Sequence, residues 1–428
     1  MPEFLTLLPP DEARALLLAE LPDPKPASQT IETDSALGRV TAEDVVAPHP
    51  LPAFPRSTVD GYAVRARDTY GASDTLPGYL TLIGEIPMGA GPALAVGAVQ
   101  CALIHTGGML PSGADAVVML EYTQVIALKA GLSPVLSQVE IQRAIAEGEN
   151  VIRIGEDVAE NQVVIPRGTR LRPAEVGGLM ALGVLKLRVA NKVRVGLVSS
   201  GDEVIPPGQI PQPGQVRDVN SYTLAALVTQ SGGEPVLYGI IADDFDALKA
   251  AATRALTECD LVVITAGSSA SIRDMTADVI ASLGAPGVLV HGINTRPGKP
   301  TILGVCNGKA VIGLPGNPVS ALVNGYLFVV PVIEKLLGIS AGRPKPSVKA
   351  RLTVNLASQA GREDWQPVRL LPSPTGRGAG GEADWLAEPI FGKSNLIFSL
   401  AAADGLVRIH PDATGLSAGE VVEVFLMP

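Results

Sequence analysis

The chain has little with which to cross-link itself, since Cys101, Cys259 and Cys306 are its only cysteines in 428 residues. They are odd in number, widely spaced and set in apolar runs. That excludes a disulfide framework and fits core thiols in a reducing, cytoplasmic compartment. A surplus of positive charge is missing as well. Lys and Arg total 33 against 43 Asp and Glu, a formal net charge of −10. Such a chain lacks the basic face that a nucleic-acid partner requires, although a local pair of cations can still hold a small anion. Long hydrophobic runs are absent too. The apolar stretch 326–333 contains Pro331 and stops at Glu334, far short of the roughly 20 residues of a membrane span. Residues 1–21 have no basic start, and Glu3, Asp11 and Glu12 interrupt them, so they do not read as a signal peptide.

What is present is unevenly placed. The 46 Gly and 36 Pro concentrate before residue 220 and after 340, which predicts strands and turns in the outer parts. A helix is expected at "PDEARALLLAEL", with Asp11 as its cap, followed by a Pro-rich connector. The length calls for about three or four domains. We divide it into a helix and connector (1–26), a linking body in two pieces (27–54 and 146–190), an inserted β domain (55–145), a central domain (191–340) and a C-terminal β domain (341–428). In the central part "VRVGLVSS", "PVLYGIIA", "LVVITAG" and "GVLVHGI" read as buried strands. They alternate with helices at "NSYTLAALVTQSGG", where Asn220 or Ser221 is the expected cap, and at "DDFDALKAAATRALTEC" and "IRDMTADVIASLG". That alternation predicts an open, mostly parallel α/β sheet with ligands at the carboxyl ends of its strands.

The residues at those ends fit an anionic ligand. "TAGSSASIRD" (265–274) and "GLPGNPVS" (313–320) place Gly267, Ser269, Pro315, Gly316 and Asn317 where a backbone can approach a phosphate and helix N–H groups can face it. Pro318 follows Asn317 at the first helical position. "SSGDEV" supplies Ser200, Gly201, Asp202 and Glu203 at a third strand end. Carboxylates beside a phosphate repel it unless a cation intervenes, so Glu203 and Asp274 point to Mg²⁺ shared with the ligand. In "NTRPGKPTILG", Arg296 and Lys299 sit on a loop stiffened by Pro297 and Pro300, a local positive site in an acidic chain. Each motif alone also reads as an ordinary turn or a solvated group.

"PRSTVDGYAVRARDT", "HTGGMLPSGADAVVMLEYT", "GEDV", "SSGDEV", "RPGKP", "GLPGNPVSA" and "GKSNLIFSLAAADGLVRI" follow one another over nearly the whole chain. In this order they resemble the molybdopterin molybdenumtransferase family, to which the C-terminal domain of gephyrin belongs. The resemblance implies an L-shaped, cytoplasmic homodimer with no nucleic-acid or membrane partner. It implies Mg²⁺-dependent insertion of molybdate into the dithiolene of adenylylated molybdopterin, with release of AMP. An upstream molybdopterin adenylyltransferase is then a candidate partner. By motif position, Asp60, Thr106, Asp157, Glu203 and Asp274 match the family's functional residues, with Ser269 before the last. Arg296, Lys299, Ser320, Arg362 and Ser394 match its molybdate pocket. Two departures stand out. Ala266 and Ser271 replace glycines of the pattern Thr-Gly-Gly-x-Ser-x-Gly-x-x-Asp, which would cost about 1–2 kcal/mol if those positions needed positive φ. Arg296 stands where Lys is usual, keeping charge but changing geometry. A ligand-binding paralogue without turnover and a tungstate-inserting variant remain as alternative readings. A scaffold of the gephyrin kind would carry additional partner-binding segments.

Overall fold

The computed structural model describes residues 7–127, 137–267, 270–339, 342, 344, 346–373 and 385–427, with backbone alone at 270–273. Ser269, the side chain of Ser271 and residues 374–384 of the Gly-rich stretch expected as a loop lie outside the description.

Between Val193 and Leu336 the chain forms a six-stranded sheet with strand order Gly233–Ile241, Val193–Ser200, Leu261–Ala266, Lys309–Pro315, Ile302–Cys306 and Pro286–His291. The first four strands are mutually parallel; Val193–Ser200, Leu261–Ala266 and Lys309–Pro315 are almost wholly buried, as expected for a sheet covered on both faces, while Gly233–Ile241 is a part-exposed edge. Ile302–Cys306 runs antiparallel to both of its neighbours, so Pro286–His291 points the same way as the first four. The reversal of Ile302–Cys306 follows from Asn307-Gly308, two residues with φ of 53° and 79° that close a hairpin between Cys306 and Lys309. A turn of this kind joins antiparallel strands alone. Helices Asn220–Gln230 and Pro318–Leu336 cover one face, and Phe245–Glu258 and Ala270–Ser282 cover the other.

Two helix starts differ from expectation. The first helix, Pro10–Glu20, has Pro at its start and no side-chain cap. Asp11 sits in its first turn and binds Arg14 at 2.7 Å and Arg408 at 2.8 Å instead. At Asn220–Gln230 the cap is supplied from outside, since Asp218 Oδ1 accepts from the Ser221 N–H at 3.0 Å. Asn220 is thereby free to turn toward the sheet edge. The apolar helix Pro318–Leu336 has 19 residues and a mean hydropathy of 1.5, yet is 61% buried. Val319, Phe328 and Val332 carry it into the main core, whose packing accounts for its hydropathy. Within it Gly325–Val329 is π-helical. Pro331 offers no N–H to the Leu327 carbonyl, and the wider turn just before it absorbs that loss.

The remaining units are β-rich. Residues 61–141 contain a six-stranded sheet, and Ser28–Glu32 pairs with Lys186–Ala190 to join the two pieces of the linking body. The C-terminal sheet is also six-stranded and recruits Thr295–Arg296, which runs parallel to Glu363-Asp364. All three cysteines are buried, and burial pushes the thiols of Cys101 and Cys306 up to about 12 and about 11.

Glu363 is 2% exposed and sits between Arg408, which donates from Nε at 2.8 Å, and Trp365, whose Nε1 donates at 2.7 Å. Arg408 also lies over the Trp365 ring, 5.8 Å from its centroid. Removing a cation from a buried carboxylate leaves that charge uncompensated. Arg408→Met should therefore cost about 3–5 kcal/mol in urea denaturation, whereas Asp11→Asn, which breaks an exposed pair with the same Arg, should cost under about 1 kcal/mol.

Candidate functional site

The Thr295–Arg296 strand carries the basic loop out of the α/β unit and pins it to the C-terminal sheet. Thr295 Oγ1 donates to the Glu363 carbonyl at 3.2 Å, and the Glu363 N–H donates to the Asn294 carbonyl at 3.1 Å. From the other side, the Val319 N–H at the start of its helix donates to the Ser394 carbonyl at 3.0 Å. Between these two stitches lies an open cavity of about 940 Å³. Arg296, Lys299, Pro315, Asn317, Ser320, Arg362 and Ser394 all line it. Residues far apart in sequence thus converge at the seam between two units. Asp364, Trp365, Gln366, Lys393 and Asn395 line it too and were not anticipated.

The electrostatics of the seam correct one expectation. A local positive site made by Arg296 and Lys299 alone would leave their repulsion unrelieved until an anion arrived. Instead Asp364, 6% exposed, sits among the cations. It accepts from Arg362 at 2.7 and 3.0 Å and from Ser358 Oγ at 3.0 Å, and lies 3.7 Å from an Arg296 nitrogen. The two-pronged contact fixes the Arg362 guanidinium, and the buried carboxylate offsets part of the local positive charge. Arg296 remains 65% exposed at its side chain, and Lys299 is exposed, so both can reach an incoming anion. The missed signal was "REDWQ": Arg362, just before the strand Glu363–Pro372, and Asp364, its second residue, are two apart in extended chain and so share a face.

A second group of predicted residues lies at the carboxyl ends of the parallel strands. Ala266 pairs with Pro315, and the Gly316 turn rests on that pair. A Cβ at Gly316 would come within 3.0 Å of the Ala266 carbonyl oxygen and 3.4 Å of Gly267 Cα, so glycine is needed for the close approach. Asn220 Nδ2 donates to the Gly316 carbonyl at 2.8 Å, a contact that sequence reading passed over because Asn220 was taken as a cap. At the neighbouring strand end Ser200 Oγ donates to Asp243 Oδ1 at 2.6 Å, and the Asp243 N–H donates to Asp202 Oδ1 at 3.1 Å. Gly201 has φ of 152°, and a Cβ there would lie 2.9 Å from Glu203 Oε2. The glycine therefore lets Glu203 fold back over its own strand end. The feared strain at the glycine replacements does not arise. Ala266 ends a paired strand and is not among the residues with positive φ, and Ser271 has helical backbone.

Glu203 and Asp274 are exposed and follow neighbouring strands. Among the described residues no group of three or more His, Cys, Asp or Glu side chains could hold a metal ion. The donor set fits a cation that takes one or two carboxylates and its other oxygens from a bound phosphate, which is the habit of Mg²⁺.

Asp60, Thr106 and Asp157 do not line the large cavity. Asp60 Oδ1 accepts from the Thr106 N–H at 2.7 Å and its hydroxyl at 3.2 Å, in the inserted β unit. His105 lies 3.7 Å from the same oxygen and 2.9 Å from Glu85 Oε1. Asp157 is exposed in the linking body, where its N–H donates to the Leu51 carbonyl at 3.1 Å.

This arrangement defines a class: an α/β unit built for a ligand at its strand ends, joined through a basic seam to a C-terminal β unit. Three family descriptions match the chain in turn. "MoeA N-terminal region (domain I and II)" covers residues 8–183, "Probable molybdopterin binding domain" covers 196–335, and "MoeA C-terminal region (domain IV)" covers 349–427. The chain belongs to the molybdopterin molybdenumtransferase family. The molybdopterin molybdenumtransferase of Haemophilus influenzae is 34% identical over 414 residues, covering 97% of each chain. That of a Nostoc species is 33% identical over 412 residues, covering 95% of this chain and 90% of the relative. A crystal structure of the molybdopterin biosynthesis moeA protein of Pyrococcus horikoshii superposes with a TM-score of 0.82 at 32% identity, over 99% of this chain and 100% of that one.

The Thr106 N–H above all, helped by its hydroxyl and by His105, holds the Asp60 carboxyl below its ordinary value of 3.8. The contact therefore favours the folded loop above that pH, and its contribution is lost as pH falls through the lower folded value. Carbon-detected NMR should give Asp60 a midpoint below 3.8. Thr106→Val, which keeps the N–H, should raise it only partway.

Proposed function

We propose that the chain inserts molybdate into the dithiolene of adenylylated molybdopterin and releases AMP. The observation that carries this reading is the convergence of Arg296, Lys299, Ser320, Arg362 and Ser394 on one cavity at the seam. Molybdate is a tetrahedral dianion and needs such donors: two mobile cations, hydroxyls, and a guanidinium fixed in orientation. Asp364 holds Arg362 in place and keeps the empty pocket from being so basic that it traps its product. The pterin nucleotide is assigned to the adjacent strand ends, with its phosphates at the turns of Gly267 and Gly316 and beside Ser200, Gly201 and Asp202. Pro300 and Pro315 line both the large cavity and a small hollow beneath those ends, so phosphate and oxyanion sites share a wall.

Glu203 and Asp274 are the carboxylates we assign to Mg²⁺. When bound, the ion would withdraw charge from the phosphate that leaves as AMP. Asp60, Thr106 and Asp157 stand on other units, and we assign them to the site of the partner subunit in a homodimer. A cytoplasmic setting and an upstream adenylyltransferase that delivers the substrate complete the proposal.

Three outcomes test it. Lys299→Ala removes one charge-assisted contact, worth roughly 1.5–3 kcal/mol, so half-saturation by molybdate should rise about tenfold or more while nucleotide affinity stays level. Unaltered molybdate dependence with weakened nucleotide binding would assign the basic pair to the phosphates. Asp274→Asn should lower AMP release more than nucleotide binding, because an amide keeps a hydrogen-bonding group but is a poor Mg²⁺ ligand. Sedimentation should give a dimer, and a monomer at working concentration would remove Asp60 from action across subunits.

A further inference from the structure

The helix that opens at Asn317-Pro318 presents two polar side chains toward the basic loop. Ser320 lines the cavity, whereas Asn324, four residues on and thus on the same face, does not. Asn324 is 0% exposed among the apolar residues of the main core. Its Nδ2 donates to the Ser320 carbonyl at 2.8 Å and to the Pro297 carbonyl at 3.1 Å. Gly298, with φ of 106°, rests directly on that amide, and a Cβ at this position would occupy the space of Nδ2. The helix widens into its π-helical turn immediately after Asn324.

These contacts do not amount to an efficient way of stabilising a core. Among the described residues Asn324 Oδ1 is buried and has no partner. An unsatisfied buried acceptor carries a cost that an apolar side chain of similar shape would avoid. What the amide does provide is a tie between two parts of one pocket. Its two bonds join the backbone of the basic loop, one residue from Arg296 and two from Lys299, to the backbone of Ser320. Gly298 lets the loop come close enough for the tie to form.

The geometry points to Asn324 as the positioning residue of the oxyanion pocket. It holds the Arg296–Lys299 loop at a fixed height over Ser320, so that cation and hydroxyl meet one anion. This rests on the reading that the cavity takes molybdate. Asn324 touches no substrate and acts only through Pro297, Gly298 and Ser320. Its substitution should therefore alter the dependence on molybdate and leave the nucleotide turns alone.

The experiment uses the full-length protein with adenylylated molybdopterin and Mg²⁺, sodium molybdate being titrated against AMP release, with AMP affinity measured by calorimetry and folding by thermal denaturation. Asn324→Ser is the decisive variant. A serine hydroxyl can still bond the carbonyl four residues back, at Ser320, but is too short to reach Pro297. Half-saturation by molybdate should rise about tenfold, with turnover at saturating molybdate and AMP affinity each within about threefold of the parent. Gly298→Ala should raise it as well, by pushing the loop off the amide. Adding Asn324→Ala to Gly298→Ala should give a smaller loss than the product of the two single effects, because the clash disappears with the amide. If Lys299→Ala raises half-saturation and Asn324→Ser lowers only the melting temperature, Asn324 is structural and the inference fails alone. If Lys299→Ala has no effect on molybdate dependence, the oxyanion reading falls and the positioning role falls with it.

Discussion

The two-residue parallel pairing of Thr295-Arg296 with Glu363-Asp364 is the constraint on which the rest of the site depends. It makes a strand of the central unit's loop part of the C-terminal sheet. Without it the basic loop would hang from one unit, and Arg362 would have no fixed relation to Lys299 and Ser320. With it, four backbone and side-chain groups at 294, 295 and 363 lock the seam, and the cavity forms between units that each have their own core. The pocket therefore exists only in the assembled chain.

The same pairing places two buried acids side by side, and a strand sends consecutive side chains to opposite faces. Glu363 turns toward Arg408, Trp365 and the first helix, where its charge is matched to hold units together. Asp364 turns into the cavity, where it holds Arg362 in a planar, two-pronged contact and leaves Arg296 at 3.7 Å with its side chain largely in water. One acid is used for cohesion and the other for readiness. Arg362 and Arg296 already outnumber this one carboxylate, and Lys299 on the same wall adds to the excess, so the cavity keeps a net positive charge.

Much of this was legible before any coordinates. Strand-to-helix alternation gave the central sheet, and "RPGKP", "GLPGNPVS" and "GKSN" named residues that the fold then gathered round one cavity. What escaped has physical reasons. The one reversed strand, Ile302–Cys306, turned on Asn307-Gly308, a hairpin signal between two apolar runs. Caps at 11 and 220 were misassigned because Asp218, outside the helix, and Arg408, almost four hundred residues on, compete for the same groups. Asp364 and Asn324 were invisible because their meaning lies in partners distant in sequence. Asp60, Thr106 and Asp157 were named from the motif order alone, and a single chain holds them away from the seam.

The separation between strand ends and seam also explains why the site needs both units. Helix N-termini and glycine turns can hold phosphate with backbone N–H groups, which are fixed in place and selective for negative charge near the sheet edge. They offer little to discriminate a compact tetrahedral dianion from a phosphate. Side chains brought in by a second unit can surround such an ion from several directions, and in the proposed function Arg362 and Ser394 of the C-terminal unit would do so together with Lys299 of the central one. Pro300 and Pro315 border both spaces, so in the proposed reaction the two ligands would lie within one wall's thickness of each other. Rigid proline at that boundary would keep the two proposed sites distinct as either fills, and a reaction between two bound anions requires that proximity without competition.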